Sequence, residues 1–450
     1  VAGAPRYEPS VYPDRIILTF AGAPARMQGV NWRTDPTVRE AVAEIAPAGP
    51  TPALHLSAVQ VRGTTRSLET ENGLAHHHAV VFENLRPNTL YAYRVGGGGT
   101  WSEWFQFRTA STRFEPFSFL YFGDAQNAVK SHYSRTIRQA ALDRPEARLM
   151  VHAGDLVNLR SGNHDDEWGE WFEAGGWLHG MIPSLPAVGN HEYVDRELAG
   201  GGTIRTLSPH WPVQFTQPGQ GPEGMEETVY YVDFQGVRFI ALNSVEAVYD
   251  DAPDRVRDQA RWLEGVLRDN PNRWTVVTFH HPVVSVARGR DNPALQEHWL
   301  PLFEQYGVDL VLQGHDHAYG RGSNMGEGTR AWAENPGTLY MVSVAGPKMY
   351  FASEDALEIM DRVGEDIQLY QSVQVEWDRL VYESRTTTGD LYDAFILWKD
   401  AEGRKRLEDL RPAVGERFCQ RPDIPGYRED RCWEGTDFVR PSGSGEGGEG

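Results

Sequence analysis

Five times along this chain a short apolar run ends in a glycine or a histidine, followed at once by side chains able to bind a cation. Phe117-Ser-Phe-Leu-Tyr-Phe leads to Gly123-Asp124-Ala-Gln126, and Ala147-Arg-Leu-Met-Val-His-Ala leads to Gly154-Asp155-Leu-Val-Asn158. Leu185-Pro-Ala-Val leads to Gly189-Asn190-His191-Glu192, and Trp274-Thr-Val-Val-Thr-Phe leads to His280-His281-Pro282. Val308-Asp-Leu-Val-Leu-Gln leads to Gly314-His315-Asp316-His317. Each apolar run reads as a buried strand that the next residues break. In open α/β sheets ligands bind outside the carboxyl ends of the strands. Asp124, Asp155, Asn190, His280, His315 and His317 are therefore expected to face one crevice as a metal site. Positions i and i+2 share a face on a regular strand, but just past a glycine they sit on a turn and diverge. His315 and His317 thus suit two neighbouring ions.

Residues 1–110 have β character throughout. Arg15-Ile-Ile-Leu-Thr-Phe20 alternates, Gln28-Gly-Val-Asn-Trp32-Arg-Thr34 reads as a second strand, and the middle is rich in loops. Further strand signals lie at His78-Ala-Val-Val-Phe82, at Leu85-Arg-Pro87-Asn-Thr89-Leu-Tyr91-Ala-Tyr93-Arg-Val and at Trp101-Ser-Glu-Trp-Phe-Gln-Phe107-Arg-Thr109. Short strands at this spacing predict a small sandwich. The run His76-His77-His78 is either metal-binding or a tag relic, or a strand entry mixing exposed and half-buried positions. Residues 111–400 alternate β and α signals. The spacing predicts helices over 131–142, 165–179 (with Trp168, Trp171 and Trp177) and 253–268, a hairpin over 229–243, and a strand over 337–344. Three more strands follow over 368–377, 379–387 and 391–398. Two sheets face to face with helices outside accommodate this order. Beyond 401 the core signal fades, and the Gly/Ser/Glu-rich end at 441–450 predicts disorder.

Composition narrows the partners. A formal net charge of −20 argues against a general nucleic-acid or anionic-membrane binder, whose footprint is basic. Two multivalent cations would still reverse the sign locally and admit a phosphate. No apolar run approaches the roughly 20 residues of a transmembrane helix. The two cysteines, Cys419 and Cys432, are expected to close a short loop as a disulfide, the alternative being two free buried thiols. That disulfide, together with a first residue other than Met, predicts an exported protein, secreted or periplasmic.

The first 110 residues resemble a fibronectin type III-like module through Trp32, the Leu-x-Pro-x-Thr-x-Tyr-x-Tyr-Arg turn and the Trp-Ser…Phe-x-Thr ending. The five ordered motifs resemble the calcineurin-like metallophosphoesterase superfamily, and the module in front of them is similar to the purple acid phosphatases. The resemblance implies an α/β, four-layer sandwich of two mixed sheets flanked by helices over 113–400. An all-β immunoglobulin/fibronectin-like sandwich over 1–112 would precede it, and a C-terminal extension over 401–450 would follow. It also implies two metal ions per chain (iron, zinc or manganese) and a small phosphorylated substrate. Asp155 would bridge the ions, with Asp124 and His317 on the first and Asn190, His280 and His315 on the second. A metal-bound hydroxide would attack phosphorus, and His191 would contact the phosphate and help protonate the departing group.

Departures from the pattern at the first metal and after His280 alter the expectations. The purple enzymes carry an iron-ligating tyrosine three residues after the bridging aspartate, where this chain has Asn158. Other superfamily members carry a histidine two residues after the first aspartate, where this chain has Gln126. Either amide oxygen could ligate, but neither is a phenolate, so a protein that is not purple is expected. The plant-type enzymes also carry a substrate-contacting histidine pair after His280. Here Arg288 and Arg290 either contact the phosphate or lie in a solvated loop, and His281 is expected to face the substrate or brace the ligands. Phosphate monoesters are the first expectation and diesters the alternative, ahead of a non-catalytic binding protein.

Overall fold

The computed structural model describes residues 6–97, 99–160, 164–198, 200–249, 253–323, 335–420 and 431–433. The expected disordered end at 441–450 lies outside the described residues. Among the described residues, two mixed sheets dominate. In the first, Phe117–Phe122, Met150–His152 and Ser184–Pro186 run parallel. Leu369–Val375, Arg379–Thr386, Leu391–Lys399 and Lys405–Asp409 extend it antiparallel from the Phe117 side. In the second, Val237–Ala241, Trp274–Thr278, Leu310–Gln313 and Leu339–Val342 run parallel.

The inner faces meet in one apolar core, where Phe119 meets Phe239 edge-on at 5.1 Å between ring centres. Helices Tyr133–Asp143 and His164–Gly175 cover the outside of the first sheet. Pro253–Arg268, Pro293–His298 and Leu300–Gln305 cover the outside of the second. The parallel strands are covered on both faces, which is why they read as unbroken apolar runs rather than as alternation. Their carboxyl ends open on one side of the molecule. All five expected motifs sit there.

The N-terminal segment is a β-sandwich whose core includes Trp32, Phe82, Tyr93 and Phe107. One of its sheets continues directly into the first catalytic sheet: Asp14–Thr19 runs parallel to Ser184–Pro186, with Thr19 opposite Ser184. Buried ion pairs reinforce the junction. Arg15 meets Asp165 at 2.6 Å and Arg33 meets it at 3.2 Å, and Asn72 and His210 bond to the same carboxylate.

Several local expectations need correction. The loop-rich middle of the sandwich holds the strands Val42–Pro47, Val59–Arg62 and Thr64–Thr70. His77 and His78 are buried, and His78 stacks on Trp32 at 5.2 Å between Thr34 and Thr65. They are core residues because Gly73–Phe82 is flanked by strands on both sides. Trp168 and Trp171 pack in the core, but Trp177, past the end of the α-helix, is 63% exposed. The expected fading beyond 401 misses Lys405–Asp409, which pairs with Leu391–Lys399. It also misses Arg431–Trp433, which pairs with Met349–Tyr350. The Cys419–Cys432 disulfide is present, with Cα atoms 6.0 Å apart.

Candidate metal centre

Four of the five strand ends, all but the one carrying His280, deliver their donors through a tight backbone approach, which explains the recurring glycines. A Cβ on Gly314 would lie 2.3 Å from Asp124 Oδ1, and one on Gly189 would lie 2.2 Å from Asp155 Oδ1. Those carboxylate oxygens instead accept the backbone N–H of His315 at 2.6 Å and of His191 at 2.8 Å. Asp155, His315 and His317 have φ of 50°, 74° and 49°, a left-handed conformation that costs a non-glycine residue roughly 1–3 kcal/mol. The left-handed conformations at 315 and 317, either side of Asp316, accompany the assignment of the two imidazoles to different donor groups, as the glycine before them predicts.

The donors form two overlapping triplets: Asp155, His280 and His315 in one, and Asp124, Asp155 and His317 in the other, each with ligand atoms within 4.8 Å of one another. Asp155 belongs to both. His280 donates from Nδ1 to the Ala153 carbonyl at 2.9 Å, which leaves Nε2 facing inward. Around that one nitrogen stand Asp155 Oδ2, Asn190 Oδ1 and His315 Nδ1, each at 3.1 Å. Likewise His317 uses Nδ1 on the Lys348 carbonyl at 3.2 Å and sets Nε2 3.3 Å from Asp124 Oδ2. Asp124 Oδ2 and Gln126 Oε1 are buried without a hydrogen-bond partner. So many lone pairs converging with so few protons fit two cations, and imidazole–carboxylate donors suit zinc, manganese or iron.

The electrostatics agree. Burial works against charge on His280, but Asp155 and Asp124 push it up to about 9. Burial works against Asp155 as well, yet His280 and His191 hold it well below the usual carboxylate range. Burial raises Asp124 to about 7, with Asp155 adding to the rise. Burial pushes His315 and His317 well down, toward the neutral form that ligates. The crevice thus calls for positive charge between its carboxylates.

The remaining expected residues divide. Gln126 reaches the cluster, its Nε2 2.6 Å from Asp155 Oδ2 and 3.2 Å from His317 Nε2. Asn158 meets the site through its backbone carbonyl, which takes the Nδ1 proton of His191. That fixes the His191 tautomer and turns its Nε2 inward, 3.9 Å from Asp155 Oδ2. His281 lies against the His315 ring at 4.1 Å and bonds to Ser244 Oγ at 3.0 Å. Arg290 bonds to the His315 carbonyl and to Asp316 and lies 4.7 Å from the Tyr350 ring centre. Arg288 is exposed, bonded to the Ala352 carbonyl and set over Phe351.

Two residues with no assigned role in the sequence reading matter here. Glu192, fully buried, accepts backbone N–H groups from Gly189, Asp155 and Leu156 and so joins two donor loops. Its motif neighbours could have signalled this. Lys348 stands beside the centre on the loop after Leu339–Val342, and only its position after a sixth strand end hinted at it.

Comparison with known proteins follows the same lines. Residues 13–109 match the family model of the purple acid phosphatase N-terminal domain, and residues 117–319 match that of the calcineurin-like phosphoesterases. Over 326 residues the chain is 30% identical to an uncharacterized protein of Mycobacterium tuberculosis, covering 65% of this chain and 59% of that protein. The chain thus spans less than two thirds of this relative's length. Over 345 residues it is 27% identical to acid phosphatase type 7 of Homo sapiens, covering 70% of this chain and 71% of that one. Among solved structures, the purple acid phosphatase PPD1 of yellow lupin superposes with a TM-score of 0.68 at 19% identity, covering 87% of this chain and 75% of that one. PhoD superposes with a TM-score of 0.63 at 14% identity, covering 92% and 95%. At such identities these two structures speak for the fold. The chain belongs to the calcineurin-like metallophosphoesterase superfamily, as a purple acid phosphatase-like member.

Proposed function

We propose that this chain hydrolyses phosphate monoesters at a dinuclear metal centre. The observation that carries the reading is Asp155, shared by the two donor triplets. Asp155 would be shared by the two ions, Asp124 and His317 with Gln126 would hold the first, and Asn190, His280 and His315 would hold the second. Bound there, the two cations supply Lewis acidity and an activated water for in-line displacement at phosphorus. His191, its Nδ1–H held by the Asn158 carbonyl, presents Nε2 to the phosphoryl group, and in its imidazolium form it would pass the Nε2 proton to the departing oxygen and return to the neutral ring. His281 braces the His315 ring. With Asn158 in place of a tyrosine, the iron-loaded protein is expected to lack the purple enzymes' colour. The substrate is a small phosphorylated molecule rather than a nucleic acid, whose binders carry a basic footprint that a net charge of −20 does not offer. The Cys419–Cys432 disulfide supports a secreted or periplasmic location.

The test is turnover of para-nitrophenyl phosphate and its bis ester by protein loaded in turn with zinc, manganese and iron. Preference for the monoester is expected. Preference for the diester would assign the same site to phosphodiester hydrolysis, and turnover of neither would refute the reading.

A further inference from the structure

The loop 345–350 is clamped to both sides of the candidate centre. Ala345 and Gly346 donate their backbone N–H groups to the Asp124 carbonyl at 3.0 and 2.6 Å. At the other end, Tyr350 donates to the His317 carbonyl at 3.0 Å. Lys348 lies between these anchors with its own carbonyl on His317 Nδ1. Gly346 permits the approach, since a Cβ there would lie 2.2 Å from the Gln126 carbonyl oxygen. The backbone around Lys348 is thus as fixed as the donors themselves.

The Lys348 side chain is almost fully buried, at 7% exposure. Among the described residues it forms no ion pair, and its Nζ lies 5.6 Å from the Tyr350 ring centre. Burying an ammonium without a counter-ion is costly, and the group then seeks an anion. Two further cations gather on the same ring: Arg290 at 4.7 Å and Arg431 at 4.9 Å. Arg290 is neutralised by Asp316 at 3.1 Å. Arg431 belongs to the short strand Arg431–Trp433, held in place by the Cys419–Cys432 disulfide and by pairing with Met349–Tyr350. The Tyr350 ring beside that Lys348 ammonium lies in turn 4.8 Å from the ring of His317, one of the metal donors. The ammonium therefore stands on the side of the centre formed by Asp124, Asp155 and His317.

We propose that Lys348 is a phosphate-binding residue of this site, its ammonium taking a non-bridging phosphoryl oxygen. Its charge makes the site select the doubly charged phosphate of a monoester over the singly charged phosphate of a diester. This rests on the phosphoesterase reading and adds a residue and a reason for its substrate class. The contribution of one positive charge grows with the charge it meets, so its removal harms the dianion more than the monoanion.

The experiment compares metal-loaded wild type with Lys348→Met and Lys348→Arg by calorimetric titration with inorganic phosphate, and by kcat/KM for para-nitrophenyl phosphate and its bis ester. Losing a charge-assisted hydrogen bond weakens binding by roughly tenfold or more. Lys348→Met is therefore expected to bind phosphate about tenfold more weakly and to lower the monoester-to-diester preference by a similar factor, with metal content unchanged. Lys348→Arg, which keeps the charge, is expected to recover part of the affinity. Phosphate affinity and ester preference within about twofold of wild type in Lys348→Met would overturn the proposal. A wild type that turns over neither ester would refute the functional reading, while the phosphate titrations would still decide the role of Lys348.

Discussion

The Glu192 carboxylate accepts the backbone N–H of Asp155 at 2.9 Å, and the same oxygen accepts that of Gly189 at 2.6 Å. One buried side chain thereby sets the distance between the loop of the shared aspartate and the loop of Asn190. Burial, with the Asp155 charge adding, pushes Glu192 up to about 8.

Glu192→Gln keeps the volume but replaces one acceptor with a donor facing backbone N–H groups. Partners of this kind, one step removed from the metal, are worth about 10–100-fold in metal affinity. Competition with a chelator is expected to read a loss in that range with the fold intact by circular dichroism. Unchanged metal affinity would show that the loops hold their spacing without it.

The junction between the sandwich and the catalytic sheets rests on Asp165, fully buried between Arg15 and Arg33. Removing the carboxylate leaves Arg15 buried without its partner. Asp165→Asn is expected to cost about 3–5 kcal/mol, the usual result of breaking a buried pair from one side. Chemical denaturation checks this, and a loss below about 1 kcal/mol would mean that the continuous sheet alone holds the junction.

Histidines away from the centre predict acid sensitivity. Burial lowers His78, His164 and His179 from 6.5 to about 4 each. Between those values the unfolded chain binds protons that the folded protein refuses, so stability rises with pH across that window. The stabilisation is complete above pH 6.5 and lost as pH falls toward 4. Urea midpoints at pH 7, 6 and 5 are expected to fall in that order, and a flat profile would contradict the buried neutral state.

The C-terminal strand is expected to matter for substrate rather than for metal. Cys419→Ser combined with Cys432→Ser frees Arg431–Trp433 from its link, although Cys432 is itself buried beside Val344 and Met349. The double variant is expected to retain its metals and to show a several-fold higher KM for monoesters. An unchanged KM would place Arg431 outside the substrate's reach.

Much of this was legible in the sequence because the signals were local. A strand buried on both faces must be apolar along its length, so Phe117–Phe122, Trp274–Thr278 and Leu310–Gln313 stood out, and the glycines after several strands marked where a carboxylate must approach the backbone. The strands Val59–Arg62 and Thr64–Thr70 were hidden because they are largely exposed, with no apolar face to announce them. Arg431–Trp433 has only three residues and owes its place to a disulfide and to pairing with Met349–Tyr350. Burial of His77 and His78 depends on neighbouring strands distant in sequence. Arg288 and Arg290 looked equivalent two positions apart, yet the chain turns between them and only Arg290 contacts a donor residue, His315. Lys348 carries no motif. Its place beside His317 follows from the loop's two backbone anchors.

The shared position of Asp155 is tested most directly by metal counting. Elemental analysis of purified wild type and of Asp155→Ala, each after loading and desalting, is expected to give close to two ions per chain in the first. The variant is expected to retain few or none, because both triplets lose a member. Two ions retained in Asp155→Ala, or none bound by the wild type, would contradict a centre built around a shared carboxylate.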